Sequence, residues 1–292
     1  MNYELFLKAF RSKYSGIQDT LLLFQYLREE LQFLILQILY TKTTYPVYFM
    51  GGTLLRLSYK MNRFSEDIDL SLDKPDKGFK SEQFYEDLVS AFSKKVTGFS
   101  MNGKLNVNGN VVKIMLSFGN ILFDLGISPL QSQTIKIKIE LDTNPPAYAT
   151  YERRSYAGLM GDYMVGTYDI STTFAGKLSA ILLRGYQKGR DYYDLRWYLE
   201  RHPKIDLNLN YLNSNCGQQG IVPFLNKQEV YDAVSKRVKS LDIELMRKDL
   251  ERFIIMDSDS FKEWLMRYIP DTLNILEIYK SSDESGRTQY IL

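Results

Sequence analysis

The chain has 292 residues, 45% hydrophobic and 25% charged, which excludes bulk disorder and collagen-like architecture and suits about two domains of roughly 150 residues. Lys and Arg number 37 against 35 Asp and Glu, a net charge of +2; this excludes wholesale coating of nucleic acid, though not a local basic groove. One cysteine, Cys216, and one histidine, His202, exclude an intrachain disulfide and a Cys/His zinc site, point to a reducing compartment, and leave a Ser-His-Asp triad only the polar setting of Glu200-Arg201-His202-Pro203.

The opening Met1-Asn2-Tyr3-Glu4 has no basic stretch before an apolar run, so no secretory leader is expected. Asp19 is placed to cap a helix running to about Tyr40. That stretch is the most apolar in the chain, but Gln25, Arg28, Glu29, Glu30 and Gln32 interrupt it. A membrane span needs about 20 mostly apolar residues, so a buried helix of a cytoplasmic protein is expected, with no membrane partner. Val47 to Met50 reads as a short strand ending at Gly51-Gly52, and Thr53 to Tyr59 as a helix. Ile68 to Leu72 reads as a second strand, and Ser81 to Val96 as an amphipathic helix capped by Ser81.

The period then changes. Leu105–Val107 and Val111–Phe118 flank Asn108-Gly109-Asn110, a hairpin signal. Ile121 to Ile127 is expected as another strand. Thr134 to Leu141 alternates Ile135, Ile137, Ile139 and Leu141 with Lys136, Lys138 and Glu140, the clearest half-buried strand in the chain. Tyr163 to Tyr168 is one more short strand. Beyond it helices are expected at about 172–184, 190–200, 227–239, 242–255 and 259–279, with a polar loop at 205–223 and a frayed tail from Ser281 to Leu292. The expected class is α+β: a mixed β-sheet domain flanked by helices over residues 1–168, then a helical C-terminal domain over 169–292.

Chemistry concentrates in Gly51-Gly52-Thr53 and in Arg63-Phe64-Ser65-Glu66-Asp67-Ile68-Asp69. On a strand, residues i and i+2 share a face, so Asp67 and Asp69 lie side by side. Their repulsion is relieved by a divalent cation with oxygen ligands. Glycines between a strand and a helix let a phosphate approach the helix N-terminus. Glu140, on the strong later strand, is a third carboxylate, and three on adjacent strands suit a two-metal site.

Gly-Gly-Thr, a short helix, then Arg-x-Ser-x-Asp-x-Asp-Leu resembles the signature of the DNA polymerase β-like nucleotidyltransferase superfamily. Within it the match is to the AbiEii/AbiGii-type abortive-infection toxins, which include nucleotidyltransferase toxins of type IV toxin–antitoxin systems. Lys177-Leu178-Ser179-Ala180, Arg184 and Arg190-Asp191-Tyr192-Tyr193-Asp194-Leu195 are similar to that family's Lys-x-x-Ala helix, arginine and Arg-Asp-x-x-Asp-Leu helix start. The Lys-x-Lys-x-Glu run at 136–140 resembles the motif with its third acid. The motifs span about 50–195.

The resemblance implies an NTP-dependent nucleotidyltransferase with a nucleotidyltransferase-type sheet. Asp67, Asp69 and Glu140 would hold two Mg²⁺ ions, with Mn²⁺ an alternative; Glu140 would otherwise serve as base. Gly51, Gly52, Thr53 and Ser65 would contact the triphosphate, with Lys138, Arg184 and Asp194 completing the nucleotide-binding set. Lys177 and Arg63 would neutralise phosphate. Asp191, placed in the catalytic set with Lys177, and Asp194 would either orient Lys177 and Arg184 or line the site opposite the metals. The helical domain would contribute Lys177 and Asp191 to the cleft.

RNA, with the tRNA 3′ end foremost, is the acceptor that the resemblance implies. The sequence supports it through Lys177, Arg184, Lys188, Arg190, Arg196 and Arg201, interleaved with Tyr186, Tyr192, Tyr193 and Trp197. The alternatives are a small antibiotic-type acceptor, a protein acceptor, or a non-catalytic nucleotide-binding module. A cognate antitoxin encoded nearby is implied, with direct binding not required.

Overall fold

The computed structural model describes residues 2–159 and 161–287. It is a mixed α+β protein, as expected, with eleven helices and seven strands among the described residues. In chain order these are α1 (Tyr3–Lys13), α2 (Thr20–Lys42), β1 (Val47–Met50), α3 (Gly51–Tyr59), β2 (Asp67–Leu72), α4 (Ser81–Lys95), β3 (Met101–Asn108), β4 (Val111–Phe118) and α5 (Ile121–Asp124). Then follow β5 (Ile135–Asp142), β6 (Tyr151–Gly158), β7 (Gly161–Tyr168), α6 (Ile170–Leu183), α7 (Gly189–Arg201), α8 (Leu209–Gln218), α9 (Lys227–Lys239), α10 (Ile243–Leu250) and α11 (Ser258–Arg287).

The chain divides into two compact units. The first comprises residues up to Lys60, Ser65–Pro145 and Tyr151–Thr167; the second comprises Met61–Phe64, Pro146–Thr150 and the chain from Tyr168 onward. Two short segments thus leave the stretch of chain that forms the first unit for the second, and their hydrogen bonds show why. Phe64 N donates to Phe253 O at 2.8 Å, and Arg63 grips Asp194. Ala147 N donates to Ser214 Oγ at 2.8 Å, and Thr150 N to Thr172 Oγ1 at 3.0 Å.

In the first unit the sheet runs β3-β4-β5-β2-β1-β7-β6. β1 is antiparallel to β2 and parallel to β7; β2 is parallel to β5, and β4 is antiparallel to both β3 and β5. The alternation on β5 works as its residues dictate, with Ile135, Ile137, Ile139 and Leu141 each at most 1% exposed. The Asp19 carboxylate caps α2, accepting from Leu21 N at 2.8 Å and Leu22 N at 3.2 Å. Leu27, Leu31, Leu34, Ile35 and Ile38 of that helix are buried, each worth about 1.5–3 kcal/mol of apolar burial. Of its polar interruptions, Gln25, Glu29, Glu30 and Gln32 are buried; Glu30 Oε1 accepts from Lys13 Nζ at 2.6 Å and from Tyr14 Oη at 2.7 Å. Among the described residues no helix is long and apolar enough to cross a membrane.

Several local expectations change. Ile121 to Ile127 is not a strand. Asp124 N donates to Asn120 O at 2.9 Å and Leu125 N to Ile121 O at 3.1 Å, closing the short helical turn α5, whose Ile121 and Leu122 are both buried. Ser81 is the first residue of α4 and not its cap; Lys80 holds that position with no side-chain bond. The helix expected over 242–255 ends at Leu250, because Ile254 pairs with Arg63 in an isolated bridge. Part of the polar loop at 205–223 is α8, capped by Asn208 and burying Tyr211, Leu212 and Cys216. The chain from Ser281 remains helical to Arg287; the rest of the expected frayed tail, 288–292, lies outside the described residues.

In the second unit α6 packs on α7, α8 and α9, and α11 on α7 and α9. Phe174, Leu178, Leu195, Tyr198, Val230 and Tyr268 form its core.

Candidate active site

β1 ends in Met50, and α3 begins directly at Gly51 with no side-chain cap. Its first backbone N–H groups therefore lack helix partners and attract anions. Gly51 adopts φ +80°, a backbone that side chains with a Cβ disfavour. A Cβ there would overlap the Asp69 carboxylate, standing 2.9 Å from its Cγ. Gly51 is therefore the residue that leaves Asp69 its place. Thr53 Oγ1 donates to the backbone carbonyl of Asp67, tying α3 to the start of β2.

Asp67 and Asp69 pair in parallel register with Lys138 and Glu140 of β5. Paired residues share a sheet face, so all four side chains stand together, and Met50, opposite Asp69, joins them. Lys138 Nζ lies 3.0 Å from Asp67 Oδ2 and 3.2 Å from Glu140 Oε1. Lys113 of β4, in register with Glu140, reaches the same oxygen at 3.4 Å. Burial opposes the charge on Lys138, but its bond to Asp67 and the charges of Asp67 and Glu140 outweigh that and raise its pKa. The ammonium is thus a cation already held between two of the three carboxylates.

Among the described residues no three His, Cys, Asp or Glu side chains are gathered closely enough to enclose a metal ion. The donor chemistry nonetheless fits a hard divalent ion: three carboxylates, all oxygen donors, on one face of neighbouring strands, with Lys138 standing in as counter-charge. Ser65 precedes this strand and is buried at 8% exposure. Its carbonyl accepts from Gln32 Nε2 at 3.1 Å, and the Glu66 carbonyl accepts from the same nitrogen at 3.0 Å.

The remaining expected residues form a second cluster, within the second unit. Asp191 and Asp194 lie three apart at the start of α7, on one helix face. Asp194 is fully buried; it accepts from Arg63 Nε at 2.6 Å and Arg63 Nη2 at 2.7 Å, and lies 2.7 Å from Lys177 Nζ. Asp191 lies 3.1 Å from Lys177 Nζ and 3.0 Å from Arg184 Nη1. Burial alone would raise the Asp191 pKa, but Lys177, Arg184 and Lys188 hold it below the ordinary carboxylate value. Burial likewise works against charge on Lys177, and Asp194 and Asp191 reverse the effect and raise its pKa. Of the two expected roles for this carboxylate pair, the contacts match the holding of Lys177 and Arg184.

Two expectations need correcting. Arg63 does not stand free to neutralise phosphate. It is 2% exposed, with two donors on Asp194 and Nη1 on the Phe64 carbonyl at 2.9 Å. The basic, aromatic segment 177–201 does not present an open grip either. Arg196 lies on Glu200 and Asp271, Arg190 on Asp249, and Tyr192 and Tyr193 are buried. Tyr186 alone of its named aromatics is strongly exposed, at 68%. Conversely, Gln32 and Lys113 carried no motif; only the fold brings them to the carboxylate strands.

Residues 37–267 match the family described as nucleotidyl transferase AbiEii toxin, type IV TA system. No curated protein matches the chain. Among solved structures the chain is similar to a candidate nucleotidyltransferase from Helicobacter pylori, at 17% identity and a TM-score of 0.57, over 89% of this chain and 96% of that one. It is also similar to JHP933 from Helicobacter pylori, at 17% identity and a TM-score of 0.58, over 91% of this chain and 95% of that one. At these identities the likeness establishes the fold.

Proposed function

This chain belongs to the nucleotidyl transferase AbiEii toxin family of type IV toxin–antitoxin systems, and on that premise we propose that it moves a nucleoside monophosphate from a nucleoside triphosphate to a hydroxyl of RNA, with the tRNA 3′ end foremost. One observation carries the reading: the register that sets Asp67 beside Lys138 and Asp69 beside Glu140, next to the uncapped start of α3 at Gly51.

The acceptor oxygen attacks the α-phosphorus, a new P–O bond forms, the bond to the bridging oxygen breaks, and pyrophosphate leaves with that electron pair. Negative charge grows at both ends of this axis and must be balanced. Asp67, Asp69 and Glu140 would hold Mg²⁺ or Mn²⁺, which supplies Lewis-acid stabilisation of that charge. Gly51, Gly52 and the first N–H groups of α3 bind the triphosphate, and Ser65 and Lys138 flank it. Glu140 is also the carboxylate suited to take the acceptor proton. Within the second unit, Asp191 and Asp194 keep Lys177 protonated. A cognate antitoxin restrains the toxin, and direct contact is not required for this.

The test is incubation of the full chain with Mg²⁺ or Mn²⁺, each α-labelled triphosphate in turn, and total RNA. Label on RNA-sized species is expected. Label on a small molecule or on protein would move the acceptor to the antibiotic or protein class. No transfer under either ion would leave a nucleotide-binding module.

A further inference from the structure

The polar face that carries the carboxylates does not stop at β5. Asn106 lies opposite Lys113, which lies opposite Glu140; Lys104 lies opposite Met115, which lies opposite Lys138. Lys136, two residues before Lys138, points the same way. Four lysines, 104, 113, 136 and 138, thus share one face of three adjacent strands. The outward positions of β3 and β4 carry no Asp or Glu, and acids begin only at Glu140 and Asp142. The reverse face is apolar and covered, with Val112, Ile114, Leu116 and Ile137 each at most 1% exposed. Lys104 and Lys136 are exposed and pair with no carboxylate among the described residues.

We infer that this lysine face of β3, β4 and β5 is where the phosphate backbone of a single-stranded RNA acceptor lies as it enters the site. The inference rests on the nucleotidyl-transfer reading and adds the acceptor's path. Strand order separates the two substrates. The anion-attracting start of α3 follows β1, on one side of the Asp67–Asp69 strand, and the lysines lie on the other. With strands about 4.8 Å apart, Lys104 sits roughly 14 Å across the sheet from Asp67, a span for a chain of phosphates. The outward residues of β3 and β4 include no aromatic ring, so contact is to backbone and insensitive to base sequence.

The test is fluorescence anisotropy of a short labelled single-stranded RNA with the full chain, in EDTA and without nucleotide, so that binding is read apart from transfer. Lys104→Glu/Lys136→Glu is compared with Lys94→Glu/Lys95→Glu, exposed lysines on α4, and with the milder Lys104→Gln/Lys136→Gln. The inference expects at least a tenfold loss of affinity in the first pair and a smaller loss in the glutamine pair. The slope of log affinity against log salt should fall by about 1.4 for two lost phosphate contacts. Affinity for labelled nucleotide and the melting temperature should hold. Unchanged RNA affinity, an equal loss in the α4 pair, or no RNA binding by the wild type overturns it. RNA bound through these lysines while the wild type transfers no nucleotide would contradict the reading of the carboxylates and uphold that of the lysines.

Discussion

The Asp69 carboxylate occupies the space that a side chain on Gly51 would fill, with a Cβ at Gly51 falling 2.9 Å from Asp69 Cγ. Gly51→Ala therefore acts twice. The φ of +80° costs about 1–2 kcal/mol with a Cβ present, and Asp69 must swing out of line with Asp67. The expected result is a lower melting temperature together with near-complete loss of nucleotide transfer. Full transfer by a folded Gly51→Ala protein would remove Asp69 from the reaction.

Gln32 positions β2 from behind. Its side chain is fully buried, and Nε2 holds the carbonyls of Ser65 and Glu66, the two residues before Asp67. Gln32→Leu leaves both carbonyls without that donor, at about 1–3 kcal/mol. The start of β2 should loosen, so kcat should fall while KM for the triphosphate changes little. Steady-state kinetics beside urea denaturation checks this; an unchanged kcat in a destabilised variant would make Gln32 purely structural.

Arg63 and Asp194 are buried together at 2% and 0% side-chain exposure. Removing one partner strands the other's charge, typically at about 3–5 kcal/mol. Arg63→Ala should lose that much in urea denaturation. Arg63→Lys should recover only part of it, since an ammonium cannot make the two-pronged contact. Full recovery by lysine would show that the fork geometry is immaterial.

Asp191 gives the fold a pH dependence of definite sign. Its pKa in the folded chain is depressed, and in the unfolded chain an aspartate titrates near 3.9. Its contribution is therefore complete above about 3.9 and lost as pH falls through the lower folded value. Asp191→Asn should be less stable than the wild type near neutrality, and the gap should close in strong acid. A gap in urea midpoint that stays constant over that range would mean that the charge of Asp191 does not stabilise the fold.

What could be read from residues alone tracks how local the cause is. The alternation at Ile135–Leu141 and the Asp19 cap are local and were legible. So was the pairing of Asp67 with Asp69 on one face. That Glu140 stands in register with Asp69 depends on strand order, which no spacing encodes; the family resemblance pointed to Glu140 as a third acid without its register. Arg63 sits within two residues of Ser65 and looks like part of the same loop, yet Asp194, 131 residues later, takes it into another unit. Gln32 lies ahead of the family match at 37–267 and acts through backbone carbonyls, which leave no trace in composition. Lys113 gains meaning only when the sheet register sets it opposite Glu140, and Lys104 only when the hairpin register puts it on the same face. β6 escaped notice because Tyr151 to Gly158 is an edge strand, whose charged residues blur the alternation.

The central claim is that Asp67, with Asp69 and Glu140, directs nucleotide transfer. Its most direct test is the rate of α-label transfer to RNA by the purified wild type and Asp67→Ala, with Mg²⁺ and matched melting curves. The account predicts transfer by the wild type and a fall of about a hundredfold or more in the variant, with the fold retained. Transfer by Asp67→Ala at the wild-type rate would contradict it.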